Sequence, residues 1–178
     1  MTNIDLKNLI RTVDNYPHEG IQFRDVTTLL KDKDGFAETI DLFVKRYSIF
    51  EIDIVAGIEA RGFIVGAALA QALGLGFVPI RKAGKLPAEV YSQDYALEYG
   101  TDVIEIHRDA IPAGSRVLIV DDLIATGGTA EAAAKLIERA KASVVEFAFV
   151  IDLPELGGAE KLRKSGYCVN SLIEFSGK

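Results

Sequence analysis

Apolar residues fall along this chain in short runs divided by polar turns, and their spacing alternates between two periods. Ile4 to Val13 has apolar positions at helical spacing and reads as a short amphipathic helix. A loop carrying Tyr16, Pro17 and Gly20 follows, and Phe36 to Phe50 returns to helical spacing. Ile52 to Ile58 is an apolar strand, Phe63 to Leu73 a helix, and Phe77 to Ile80 a second strand. Val117 to Val120 gives a third strand, Ala130 to Ala142 an alanine-rich helix, and Val144 to Val150 a fourth strand. Strands alternating with helices predict an α/β fold with a doubly wound, mainly parallel sheet flanked by helices. Ligands collect at the carboxyl ends of strands in such sheets.

One stretch breaks the alternation. Ala83-Gly84-Lys85-Leu86-Pro87 has turn chemistry, and Val90 to Ile106 is strand-like around Glu98-Tyr99-Gly100-Thr101. A flexible loop merging into an antiparallel hairpin is expected there. Gly62 to Ile80 approaches membrane length with Gln71 as its one strongly polar residue. Gly74, Gly76 and Pro79 interrupt it, so it reads as a buried helix leading into a short strand.

At 178 residues the chain is expected to form one domain, spanning residues 1–178, that buries about 70% of its unfolded surface. An apolar fraction of 49% agrees with a packed core. The lone Cys168 leaves no internal disulfide, and the mixed charges of the first seven residues do not make a leader, so a cytoplasmic protein is expected. The net charge of −6 argues against general nucleic-acid binding. His18 and His107 are far apart and suggest no metal site. Asp32 and Asp34 lie in a Lys-Asp-Lys-Asp-Gly turn that lacks the rest of a calcium loop.

The richest chemistry lies in Val117-Leu118-Ile119-Val120-Asp121-Asp122-Leu123-Ile124-Ala125-Thr126-Gly127-Gly128-Thr129. Paired acids at a strand end can accept hydrogen bonds from a vicinal diol. The glycine-rich turn that follows leaves backbone N–H groups free to wrap a phosphate at a helix N-terminus. No Lys follows the glycines as in a Walker loop, and no Gly-x-Gly-x-x-Gly opens a helix. Together the two surfaces suit a ribose 5-phosphate.

This run resembles the phosphoribosyl-pyrophosphate (PRPP) motif of the type I phosphoribosyltransferases. Further blocks resemble the adenine phosphoribosyltransferases among them, in the family's order, from about residue 14 to 130. Ile21-Gln22-Phe23-Arg24-Asp25 is similar to their purine-binding segment, and Ala56 to Phe63 to their pyrophosphate loop. Ile80 to Pro87 and Tyr95 to Gly100 are similar to their flexible catalytic loop. From Ser143 on the likeness is one of character only.

The resemblance implies the type I fold, with residues 1–35 contributing a small hood over the base. It implies transfer of the phosphoribosyl group of PRPP to adenine, giving AMP and pyrophosphate. Phe23 would stack on the base. Backbone groups of Gln22 and Arg24 would read its edge. Asp121 and Asp122 would hold the ribose hydroxyls, with Ala125, Thr126, Gly127, Gly128 and Thr129 around the 5-phosphate. Glu59, Ala60, Arg61, Arg81, Lys82 and Lys85 would meet pyrophosphate. Glu98 would accept the proton, with Arg61 and Tyr99 completing the catalytic group. Arg24 and Asp25 could also form a local ion pair. Mg²⁺ would be held mainly by substrate and water, with no direct protein ligand. A homodimer is expected. Two other readings share the motif: a transferase for a 6-oxopurine, and a non-catalytic PRPP-sensing regulator. The Phe-Arg-Asp and Leu-Glu-Tyr-Gly blocks argue against the first. The length and charge lack the added DNA-binding module of the second.

Overall fold

A computed structural model describes residues 4–96 and 100–177. Strands β1 (Arg11–Asp14) and β2 (Gln22–Asp25) form an antiparallel pair apart from the main sheet. Helices α1 (Thr27–Leu30) and α2 (Lys33–Tyr47) follow. Then come β3 (Ile54–Ile58), α3 (Arg61–Leu73), β4 (Gly76–Lys82), β5 (Val90–Ala96) and β6 (Thr101–His107). The chain continues through β7 (Arg116–Ile124), α4 (Gly128–Arg139), β8 (Ser143–Asp152), α5 (Gly158–Lys164) and β9 (Val169–Glu174).

The seven-stranded sheet runs β5-β6-β4-β3-β7-β8-β9. Its β4-β3-β7-β8-β9 portion is parallel, and β6 is antiparallel to both β4 and β5. The expected mainly parallel sheet and antiparallel hairpin are therefore both present. The apolar runs are continuous because both faces of the sheet are covered. Along β7, Val117 and Ile119 join the layer holding α4 and α5, while Leu118 and Val120 join the layer holding α2 and α3. Phe147 and Phe149 of β8 face the first layer, and Ala148 and Val150 the second.

The N-terminus departs from expectation. Ile4 to Val13 is not one helix. A single 3₁₀ turn, Leu6–Leu9, is capped by the Asp5 carboxylate, which accepts from the Lys7 backbone N–H at 3.0 Å, and β1 begins at Arg11. Register with β2 sets Arg11 opposite Asp25, and the two side chains form an ion pair. That long-range pairing overrides the local helical spacing. Helix α2 begins at Lys33, three residues before the first apolar position, because Asp32 caps it through the Gly35 N–H at 2.8 Å. Strand β7 continues to Ile124, so Asp121 and Asp122 belong to the strand rather than follow it.

Three glycines let α3 lie close on the sheet. A Cβ on Gly57 of β3 would stand 2.6 Å from the Phe77 ring and 2.8 Å from the Gly62 carbonyl oxygen. One on Gly66 would meet the same ring at 2.9 Å. Gly57→Ala should therefore cost roughly 1–3 kcal/mol through overpacking. Urea unfolding should show a lower midpoint with an unchanged slope. A wild-type midpoint would disprove the tight contact.

Candidate active site

The carboxyl ends of β3, β4 and β7 lie side by side. Beyond β3 the chain passes through a cis Glu59–Ala60 peptide into α3, whose first residue is Arg61. The Arg61 guanidinium bonds the Asp122 carboxylate. The acid is 5% exposed and the arginine 47%. The Asp122 backbone N–H donates to Asp121 Oδ1 at 2.8 Å. A Cβ on Gly62 would stand 2.8 Å from that same oxygen and from the Val120 carbonyl, so helix and strand touch here. Burial, with the Asp122 charge second, holds the Asp121 carboxyl well above the ordinary range. Burial works against the Arg61 charge, but Asp122 outweighs it, with Asp121 and Asp25 adding, and its affinity for the proton rises.

Past β7, residues Ala125 to Thr129 form a turn around a recess of about 130 Å³ that Asp121 also lines. Gly127 sits in the left-handed region at φ 80° and caps α4. A Cβ there would approach the Gly158 backbone at 3.0 Å. The Gly158 N–H donates to the Ala125 carbonyl at 3.0 Å, and the Leu153 N–H to that of Ile124 at 3.1 Å. The segment after β8 thus braces the turn. The arrangement leaves the first turn of α4 facing the recess, the usual environment for an anion.

The two basic residues that end β4, Arg81 and Lys82, are both paired with acids. Arg81 forks onto Glu59 at 3.2 and 3.4 Å and donates to the Lys85 carbonyl at 3.0 Å. Glu59 also accepts from the Lys82 backbone N–H at 2.9 Å. That N–H first, then Arg81, holds the Glu59 carboxyl below its ordinary range against the effect of burial. Lys82 Nζ lies 3.3 Å from Asp102, which also accepts from the Tyr95 hydroxyl at 3.1 Å. The Asp102 contact raises the Lys82 ammonium. Lys85 is exposed. Glu98 and Tyr99, expected in the catalytic group, lie outside the described residues.

Phe23 is half-buried, with the edge of Tyr16 against it at 5.2 Å between ring centroids. Residues two apart on a strand aim their backbone groups to one edge, so Gln22 and Arg24 act together. The Arg24 side chain does not pair with Asp25. It donates to Gln22 Oε1 at 2.7 Å and to the Ser176 carbonyl at 2.8 Å, and lies over Phe175. Asp25 is taken instead by Arg11 and by Thr27, whose hydroxyl is 2.6 Å away. The sequence places Arg24 and Asp25 side by side, but alternation along β2 sends their side chains to opposite faces.

The hood strand, the start of α3 and the glycine-rich turn meet at one cleft of about 690 Å³, which Glu59, Arg81, Lys82, Lys85, Asp121 and Asp122 do not line. Gln22, Phe23 and Arg24 line one side, with Arg61, Ala125, Thr126 and Gly128 lining it as well. Leu153, Leu156 and Lys161 complete it, and sequence reasoning named none of them. The available signal was positional: they follow the carboxyl end of β8, where open α/β sheets bind ligands.

The phosphoribosyl transferase domain profile matches residues 25–176. Within that class, an adenine phosphoribosyltransferase of Methylobacillus flagellatus is 60% identical over 172 residues, covering 97% of this chain and 98% of the relative. The solved adenine phosphoribosyltransferase of Thermoanaerobacter pseudethanolicus superposes with a TM-score of 0.92 at 49% identity, over 96% of this chain and 98% of that one. That of Saccharomyces cerevisiae, solved with adenine and an imino-altritol bisphosphate, gives 0.89 at 44% identity, over 95% and 97%. The chain belongs to the phosphoribosyl transferase family and, within it, to the adenine phosphoribosyltransferases.

The hood's anchor can be tested by pH. The Thr27 hydroxyl, then Arg11, lowers the Asp25 carboxyl from 3.8 to about 2. A depressed acid stabilises the fold fully above its unfolded value and loses that contribution as pH falls through its folded value. Asp25→Asn should therefore cost up to about 2 kcal/mol at neutral pH, less what solvent screens. The gap between wild type and variant should narrow from pH 4 toward pH 2. Urea titrations showing a gap independent of pH would remove the assigned role.

Proposed function

We propose that this protein transfers the 5-phosphoribosyl group of PRPP to N9 of adenine, releasing pyrophosphate and giving AMP in purine salvage. One observation carries the reading: a single cleft joins an aromatic hood residue, Phe23, to a glycine-rich turn at the start of α4, with Arg61 and its partner Asp122 at the same site. A flat base, a diol and a phosphate are the three parts of AMP.

In this scheme Phe23 stacks on adenine, and backbone groups of Gln22 and Arg24 read its edge. The turn from Ala125 to Thr129 takes the 5-phosphate. Arg61 bonds Asp122, and in this scheme binding exchanges those partners. Pyrophosphate draws Arg61 away, and the ribose hydroxyls take its place on Asp122 and Asp121. Arg81, Lys82, Lys85 and the backbone at Glu59–Ala60 complete the pyrophosphate end. As N9 bonds to the anomeric carbon, the bond from that carbon to pyrophosphate breaks and its electrons leave with pyrophosphate. The N9 proton passes to Glu98, and Tyr99 helps close the site. Asp121 and Asp122 offset positive charge at the sugar.

Two of the site's carboxylates, Asp122 and Glu59, are engaged by Arg61 and Arg81, which suits a Mg²⁺ ion carried by substrate oxygens and water rather than by a protein cage. Such an ion would neutralise charge on pyrophosphate. Among the described residues no helix is long and apolar enough to cross a membrane. We place the protein in the cytoplasm.

A turnover assay with PRPP, Mg²⁺ and each of adenine, hypoxanthine, guanine and xanthine tests the base. Adenine should be preferred by a factor on the order of 10⁴, since a buried edge with reversed donors and acceptors leaves polar groups unpaired. Phe23→Ala should weaken adenine use by roughly 1–3 kcal/mol and spare PRPP affinity. Equal turnover of hypoxanthine would refute the adenine assignment.

The functional unit in this reading is a symmetric dimer. Light scattering at micromolar concentration should give about twice the 19.3 kDa chain mass. A species of chain mass alone would count against it.

A further inference from the structure

The turn that cradles the phosphate contains no cation of its own between Ala125 and Thr129. Among the described residues lining the cleft, the cations are Arg24, Arg61 and Lys161. Arg24 is tied to Gln22 and Ser176, and Arg61 to Asp122. Lys161 is the one on the segment that braces the turn. Gly158 begins α5 and is locked to the turn through the Ala125 carbonyl, and the Lys161 backbone N–H bonds the Gly157 carbonyl at 2.9 Å. The base of the lysine is therefore fixed relative to the cradle, while its side chain is 51% exposed on a flexible stem.

Its ammonium lies 2.6 Å from Glu131 Oε2. Glu131 occupies the first turn of α4 and also meets Lys135 at 3.4 Å. A carboxylate there suits the positive end of the helix dipole. Glu131 lines a neighbouring hollow with Lys135 and Lys161 rather than the recess itself, and its charge at the same helix end opposes that of a bound phosphate. Lys161 masks that carboxylate and also lines the cleft that Ala125, Thr126 and Gly128 of the turn line, so one anchored side chain borders both.

We propose that Lys161 is a phosphate-recognition residue, held on Glu131 in the ligand-free protein and shared with the 5-phosphate when nucleotide binds. The proposal rests on the phosphoribosyl-transfer reading above. It makes Glu131 a competitor of the phosphate for the same cation, which gives the two residues opposite effects on affinity.

Calorimetry of AMP, with adenosine as the probe lacking phosphate, separates this from a simple tie between helices. Lys161→Met should weaken AMP binding about tenfold, the effect of one partly screened charge-assisted contact, and leave adenosine unchanged. Lys161→Arg should stay within about threefold of wild type, because charge and reach are kept. Glu131→Gln should tighten AMP several-fold. The proposal is overturned if Lys161→Met binds AMP as wild type does, if AMP and adenosine weaken together, or if Glu131→Gln weakens AMP as Lys161→Met does. A wild-type protein that fails to bind AMP would overturn the transfer reading itself, and this proposal with it.

Discussion

The site depends on how closely α3 approaches the ends of β3 and β7. At Gly57 and Gly62 there is no room for a Cβ. Packing this tight transmits any displacement directly. It fixes the first residue of α3, Arg61, over Asp122, and leaves Asp121 against the helix backbone. Two further glycines do the same on the other side of the cleft. Gly127 and Gly158 allow the turn before α4 to rest on the segment after β8. Backbone contacts thus fix the elements that flank the cleft.

A second constraint follows from charge. The chain carries a net −6 yet belongs to a family whose substrate is a polyanion. Four of its cations at or near the site are held on acids: Arg61 on Asp122, Arg81 on Glu59, Lys82 on Asp102 and Lys161 on Glu131. Pairing removes the cost of like charges crowded together and keeps the part-buried Arg61 and Asp122 compensated. It also means that affinity for PRPP is a difference between two sets of ion pairs. A ligand that brings both hydroxyls and phosphates can satisfy the acid and the base together, whereas a free anion satisfies only one.

Much of this was legible in the residues. Apolar runs ending in charged or glycine-rich turns marked β3, β4 and β7, because a parallel sheet buried on both faces needs such runs and places ligands at their ends. Val117 to Thr129 was legible for the same reason. The hood hairpin was not. Arg11–Asp14 is short, polar and exposed on most of its length, and its strand character comes from Asp25, fourteen residues away in sequence. The far wall was missed because Leu153, Leu156 and Lys161 look like ordinary residues of a turn and helix. The pairing of Arg81 and Lys82 was also hidden, since Glu59 and Asp102 are distant in sequence and reach them only through strand neighbours.

A crystal structure with AMP bound tests the arrangement most directly. The adenine ring should lie on Phe23, the ribose hydroxyls on Asp121 and Asp122 with Arg61 released from Asp122, and the phosphate in the turn from Ala125 to Thr129. A phosphate seated instead among Arg81, Lys82 and Lys85, or Arg61 still bonded to Asp122 beside an occupied ribose site, would contradict the exchange of partners.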